Sequence, residues 1–323
     1  MVLEKDKLIE LLVIMLRAKM LEERAVKLFT EGHSPGWIHV GRGQEAVGTG
    51  VCLALRPTDI IFPSHRGRAP ALARGVDFKR ALAELCGKKT GVSKGRSGYD
   101  FLVDKNLGIY NVTGSIGAVM PMATGVALSY QIQRLDRIVV CFFGDGCASQ
   151  GTFHESLNLA SLWKLPIVYV CENNGWAQFT AQEWVTSVTD IAKRAVAYDM
   201  PGITVDGDDV LAVYEAACPV IDRARRGDGP TLLEAKTHRW YGHYVGDPQR
   251  YRSKEELEKC PEFDPIPRLE AKLIEEKVVT QDEVKEIEEG ISAELDEAEK
   301  FALESPLPEA ESALEHVYCE GGK

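Results

Sequence analysis

Residues 137–174 read RIVVCFFGDGCASQGTFHESLNLASLWKLPIVYVCENN, and this stretch decides the fold. Arg137–Phe143 is an apolar run of strand length that ends at Gly144. Pro166–Glu172 is a second such run, ending at Asn173. Between them Thr152–Lys164 has helical spacing. Strands without polar alternation are buried on both faces, and their alternation with helices implies a parallel sheet covered on both sides.

The pattern continues outward. Residues 117–133 read as a helix of small side chains suited to close packing. Gly202–Asp206 and Thr231–Lys236 look like further strands, with a helix at about 208–226 between them. Residues 3–31 carry Leu8, Leu11, Leu12, Met15, Leu16 and Met20 at helical spacing, and Gly32 follows as a stop signal. Glycine is frequent and periodicity poor from about 87 to 117, which suggests a long loop over a functional face. From about 264 the composition shifts to Glu/Lys-rich helical sequence, read as a solvated tail. The expected organisation is a helical segment over 1–32, an α/β domain over 33–262 and a helical tail over 263–323.

The bulk numbers exclude several functions. With a net charge of −11 over 323 residues, the chain lacks the basic surface that nucleic acid or an anionic membrane would require. No apolar run is long enough to span a membrane. The N-terminus mixes acids and lysines unlike a secretory or transit leader. Eight cysteines are scattered without a C-x-x-C pair, so they read as reduced thiols and the chain as cytoplasmic.

The chemistry concentrates at the strand ends. Ligands of a parallel sheet bind outside the carboxyl ends of its strands, and Gly144-Asp145-Gly146 and Asn173-Asn174 both stand there. Asp145 offers a carboxylate oxygen, Asn174 an amide oxygen and Trp176 a backbone carbonyl, a donor set suited to magnesium. The glycines let backbone approach a diphosphate, and the helix starting near Thr152 points its positive end toward it. A dinucleotide reading fails, since GDGCAS has serine where the third glycine of G-x-G-x-x-G belongs. Asp145 as a helix N-cap and Asn173 as a strand-end hydrogen-bonding residue are the plain structural alternatives. His33, His154, His238 and His316 read as helix-end or surface histidines.

The run from Gly144 to Ala177 resembles the thiamine diphosphate signature of alpha subunits in 2-oxo acid dehydrogenase complexes, a family that includes pyruvate, branched-chain and acetoin enzymes. The resemblance covers roughly residues 5 to 310, and GITVDGDDV and THRWYGHYVGDPQRYRSKEE are most similar to the acetoin branch. It implies a thiamin diphosphate-binding fold with helical extensions at both ends. It also implies Asp145, Asn174 and the carbonyl of Trp176 as Mg2+ ligands. Gly146, Cys147, Arg66 and Arg239 would lie around the diphosphate, and Gly114 and Ile116 beneath the pyrimidine. Ile116 would wedge the cofactor into its bent form. His39, His65 and His243 match catalytic positions, His243 reaching the diphosphate as well. Proton transfer suits a histidine with a pKa near neutrality, and His39 and His65 are the candidates.

The resemblance further implies a beta subunit carrying the carboxylate that activates the pyrimidine, in a heterotetramer of two alpha and two beta chains. The product would pass to a lipoyl acyltransferase, and the substrate would be acetoin or a 2-oxo acid. Two departures stand out. Arg68 replaces a usual histidine, and in GVSKGRSGYD Tyr99 replaces the histidine of the family's GKGGSMH loop. Both segments are expected near the substrate entrance. Half of a split transketolase-like enzyme, or a catalytically silent partner subunit, are the competing readings.

Overall fold

The computed structural model describes residues 3–110 and 113–315; His316 and Cys319 lie outside them. Five strands, β1 (Ile60–Phe62), β2 (Val139–Gly144), β3 (Ile167–Asn173), β4 (Gly202–Asp206) and β5 (Thr231–Lys236), form a parallel sheet in the order β1-β2-β3-β5-β4. Around it, in chain order, run α1 (Lys5–Thr30), α2 (Glu45–Leu53), α3 (Arg68–Ala73), α4 (Phe78–Leu85), α5 (Val119–Gln133), α6 (Gly151–Leu162), α7 (Val210–Arg225), α8 (Lys254–Lys259), α9 (Pro265–Glu275) and α10 (Gln281–Glu304).

The continuous apolar strands have a direct cause. Alternate side chains enter two separate cores, Val140, Phe142, Val168 and Val170 on one side, and Val139, Cys141, Phe143 and Tyr169 on the other. The first core is closed by α1 to α4, α7, α9 and α10, the second by α5, α6 and the Ile191–Tyr198 segment. The edge strand β4 is correspondingly the least buried.

The expected elements sit within two residues of their observed bounds, and β4 and β5 match theirs. Gly32 ends α1 at φ +82°, with the His33 amide donating to the Leu28 carbonyl at 2.9 Å. A glycine in this conformation closes a helix without a Cβ clash. The C-terminal segment departs from its reading as a solvated tail. Its helix α10 exposes acids on one face but buries Val284, Ile291 and Leu295 in the sheet's own core. Arg17 and Arg24 of α1 grip it through Glu294 at 2.5 Å and Glu299 at 2.6 Å.

Helix α2 was hidden in the Gly-rich stretch because its glycines serve packing. A Cβ on Gly48 would fall 2.2 Å from Pro70, and one on Gly50 2.8 Å from Val213. The loop beyond α4 is organised by one carboxylate. Buried Glu84 accepts the backbone N–H groups of Ser93, Gly95, Ser97 and Gly98 at 2.8 to 3.2 Å. That loop carries the chain to Asp100 and Phe101 at the site.

Candidate active site

At the carboxyl ends of β2 and β3 lies a cavity of about 480 Å³. Every residue singled out for the site, His39, His65, Arg66, Gly114, Ile116, Asp145, Gly146, Cys147, Asn174, Trp176, Arg239 and His243, lines it. Asp145 and Asn174 meet there because the strands they follow are neighbours, and loops bring in residues as far apart in sequence as His39 and His243.

Asp145 leaves β2 in a tight turn and is 3% exposed. The backbone N–H of Asn174 steadies its carboxylate, yet Oδ2 is buried with no hydrogen-bond partner. Burial pushes the carboxyl up to about 6. A buried oxygen without a partner is uncommon in a folded protein, and a hard divalent cation is one group that completes it.

The neighbouring strand supplies fitting donors. Asn173 is spent on structure, its amide donating to Glu234 at 2.6 Å and its oxygen accepting from Gly175 at 3.1 Å. Asn174 donates to Gln44 Oε1 at 3.0 Å, which turns its own oxygen to accept from the Trp176 N–H at 3.1 Å. One lone pair of that oxygen stays open. The Trp176 indole is tied to Glu256 at 2.8 Å, which holds its backbone at the cavity edge. Among the described residues no three His, Cys, Asp or Glu side chains cluster as metal ligands. The donor set is thus one carboxylate, one amide and one carbonyl, a hard-oxygen set that fits magnesium.

The surroundings suit an anion. Gly146 packs so tightly that a Cβ would lie 2.8 Å from that of Ala177, leaving bare backbone toward the cavity. Cys147 is buried, and desolvation pushes its thiol up to about 12, so it packs rather than reacts. Arg239 spends donors on the Gln178 carbonyl and the Tyr251 hydroxyl at 3.2 and 3.0 Å. Arg66 donates to the carbonyls of Val40 and His243 at 2.5 and 2.7 Å. Burial lowers both arginines, joined by repulsion from Arg239 and Arg68 at Arg66, which falls to about 9, and from Arg252 at Arg239. Two cations sharing one buried cavity are relieved by a bound anion.

Three histidines form the opposite side. The ring centroids of His39 lie 4.9 Å from His65 and 4.7 Å from His243. A near-neutral pKa was expected of His65, and the structure corrects this. Burial first, and then Arg66, drive His65 well below its ordinary value, and the same two causes take His243 to about 3.

Both unusual segments reach the cavity, through His65 and Arg66 and through Asp100, but their two departing side chains do not. Arg68 and Tyr99 are 1% and 2% exposed and stand behind the cavity wall, not at an entrance. The Arg68 guanidinium lies 5.0 Å over the Tyr99 ring, so the two unusual residues pack on each other. Arg68 donates to Glu22 at 2.9 Å, to Asp100 at 3.2 Å, and to the backbone carbonyls of His65 and His39. Asp100, Gln44 and Glu22 were not identified from sequence. No local motif marks Asp100; only its place in the unusual SGYDF loop could have drawn notice.

A buried carboxylate lacking a partner, opposite two cations at a parallel sheet's carboxyl edge, suits an enzyme that anchors a phosphorylated cofactor through a metal ion. Residues 13–311 match the family model described as Dehydrogenase E1 component, and the chain belongs to that family. It is 42% identical over 305 residues to the alpha subunit of acetoin:2,6-dichlorophenolindophenol oxidoreductase from Bacillus subtilis, covering 94% of this chain and 91% of that one. It is 38% identical to the pyruvate dehydrogenase E1 component alpha subunit of Porphyra purpurea, covering 98% and 94%. The acetoin:2,6-dichlorophenolindophenol oxidoreductase alpha subunit of Cupriavidus necator is 38% identical, covering 98% and 95%. The chain is accordingly an oxidoreductase component of alpha-subunit type, and its family implies thiamine diphosphate as cofactor. Among the described residues no helix is long and apolar enough to cross a membrane.

Proposed function

We propose that this chain holds thiamine diphosphate through Mg2+ and, with a beta subunit, cleaves acetoin or decarboxylates a 2-oxo acid. One observation carries the reading: the unpartnered Oδ2 of Asp145 at the end of β2, beside Asn174 at the end of β3. Asp145, Asn174 and the Trp176 carbonyl would hold the metal, and the backbone at Gly146 and Cys147, with Arg66, Arg239 and His243, the diphosphate. Gly114 and Ile116 would lie beneath the pyrimidine.

When bound, thiamine diphosphate supplies a thiazolium carbon that adds to a carbonyl and stores the electron pair released as the adjacent bond breaks. The chain's own residues do the rest. Arg66 and Arg239 neutralise phosphate charge. His65 and His243, kept neutral by burial and their cationic neighbours, can donate or accept a hydrogen bond without adding charge. His39 is the proton carrier.

A beta subunit is part of this reading, as in a two-alpha, two-beta assembly that hands its product to a lipoyl acyltransferase. Exposed apolar side chains support a partner. Ile116 at the cavity rim is 49% exposed, and α5 and α6 present Ile132, Leu162 and Trp163 to solvent. Helix α1 instead buries its apolar face within the chain.

The test is turnover of the chain with its partner subunit, Mg2+ and thiamine diphosphate, using a dye as electron acceptor and acetoin or pyruvate as substrate. Oxidation of one of them, abolished in a folded Asp145→Ala variant, is expected. Undiminished turnover by that variant would contradict the reading.

A further inference from the structure

We propose that Asp100, steadied by Arg68, is a positioning residue that fixes His39 with its proton on Nδ1 and leaves Nε2 to carry protons for the substrate. The proposal rests on the cavity being the site of carbonyl chemistry argued above, and it goes beyond that by naming what sets the histidine's state.

The geometry is that of a carboxylate–imidazole dyad. Asp100 Oδ2 lies 2.5 Å from His39 Nδ1, and its Oδ1 accepts the His39 backbone N–H at 3.1 Å. Two contacts from one carboxylate fix both the ring and the chain that carries it. An ionised carboxylate only accepts, so the proton of neutral His39 must reside on Nδ1. No hydrogen bond within the described residues takes up Nε2, and His39 lines the cavity.

Asp100 is itself held. It is 7% exposed, and Arg68 Nη1 donates to its Oδ1 at 3.2 Å. The same guanidinium binds the carbonyl of His39, so one buried cation ties together both members of the dyad. Glu22 balances it from α1, its Oε1 accepting from Arg68 Nε at 2.9 Å and from the Gly41 N–H at 2.8 Å. Arg68 is thus matched by two carboxylates, and Asp100 stands as the carboxylate support of the His39 ring. Its two neighbours lack this support. His243 Nδ1 faces Arg66 Nη2 at 3.4 Å, and His65 Nε2 is buried without a partner.

The step is a proton transfer. The O–H bond of a substrate hydroxyl breaks, its electron pair stays on oxygen, and the proton forms an N–H bond at Nε2. The positive charge on the ring then rests against Asp100. His238 and Asp208 form a similar pair, with Nδ1 to Oδ2 at 2.6 Å, but outside the cavity and stacked on Phe263. That pair is an internal reference for the tautomer without the chemistry.

Long-range proton–nitrogen correlation spectra of the full chain with 15N-labelled histidine, assigned by loss of a signal in His39→Gln, read the tautomer without cofactor. The wild type is expected to show His39 protonated at Nδ1 and not at Nε2, like His238. In Asp100→Asn the amide NH2 faces Nδ1, so the pattern should reverse. With partner and cofactor, kcat should then fall by about a hundredfold or more with KM little changed, as loss of an oriented general base implies. Asp100→Glu, which keeps an acceptor, should restore the tautomer and part of kcat. A wild-type pattern with the proton on Nε2 would overturn the proposal, as would an unchanged pattern in Asp100→Asn, or a reversed one at full kcat. Should Asp100→Asn not fold, the wild-type pattern decides. An inactive wild type with the expected pattern would instead fault the assigned reaction and leave the tautomer standing.

Discussion

The cation end of the cavity and its back wall bury similar charges and treat them in opposite ways. At the cation end, Asp145 keeps a carboxylate oxygen without a partner, and Arg66 and Arg239 crowd one another. At the back wall all three guanidinium nitrogens of Arg68 are engaged, with Glu22 and Asp100 beside it. A buried charge costs several kcal/mol unless it is matched, so the wall's charges are matched within the chain, though Glu22 Oε2 and the Tyr99 hydroxyl have no hydrogen-bond partner, while the cation end is completed by what binds there. Unmatched charge marks where a ligand acts; matched charge marks what is rigid before it arrives.

The comparison can be broken at several points. Replacing Arg68 with Met should cost most, about 3–5 kcal/mol, because two buried carboxylates lose their counter-charge. Urea unfolding of the cofactor-free chain measures it, and a loss under 1 kcal/mol would mean the wall is not matched as described. Asp145→Ala should do the reverse. Its cofactor-free stability should hold or rise, while affinity for thiamine diphosphate with Mg2+ should drop by about a hundredfold or more, some 2.7 kcal/mol. Thermal unfolding with and without both ligands separates the two effects, and a variant that melts early without ligands would contradict the contrast.

Smaller effects sharpen it. Gly146→Ala places a methyl 2.8 Å from the Ala177 Cβ. It should cost about 1–3 kcal/mol in stability and weaken cofactor binding, both readable by denaturant titration and calorimetry. Last come the histidines. With pKa values lowered by burial and Arg66, His65 and His243 should stay neutral from about pH 8 to pH 5. The unfolded chain takes up those protons near pH 6.5, so their contribution to stability is present above that value and is lost as pH falls toward the folded values. Flat histidine proton shifts over that range are expected; a titration of either ring near neutrality would sink this.

Much of the cation end was legible because it is local. Asp145 and Asn174 each follow a run of buried apolar residues, and such runs place them at one sheet edge. The same logic put β4 and β5 at their observed bounds. The back wall was not legible, because its chemistry lies in pairs far apart in the chain. His39 and Asp100 are 61 residues apart, Arg68 and Glu22 46. Read alone, Arg68 and Tyr99 looked like an altered entrance. Helix α2 escaped because burial on all sides erases periodicity, while α4 did carry a readable signal in its Asp77 cap, which accepts from the Arg80 N–H at 2.8 Å.

Calorimetric titration of thiamine diphosphate with Mg2+ into the chain assembled with its beta partner, wild type against Asp145→Ala, tests the central claim most directly. Metal-dependent binding to the wild type that disappears in the variant is the predicted result. Binding of equal strength in both, or none in a properly assembled wild type, would contradict the account.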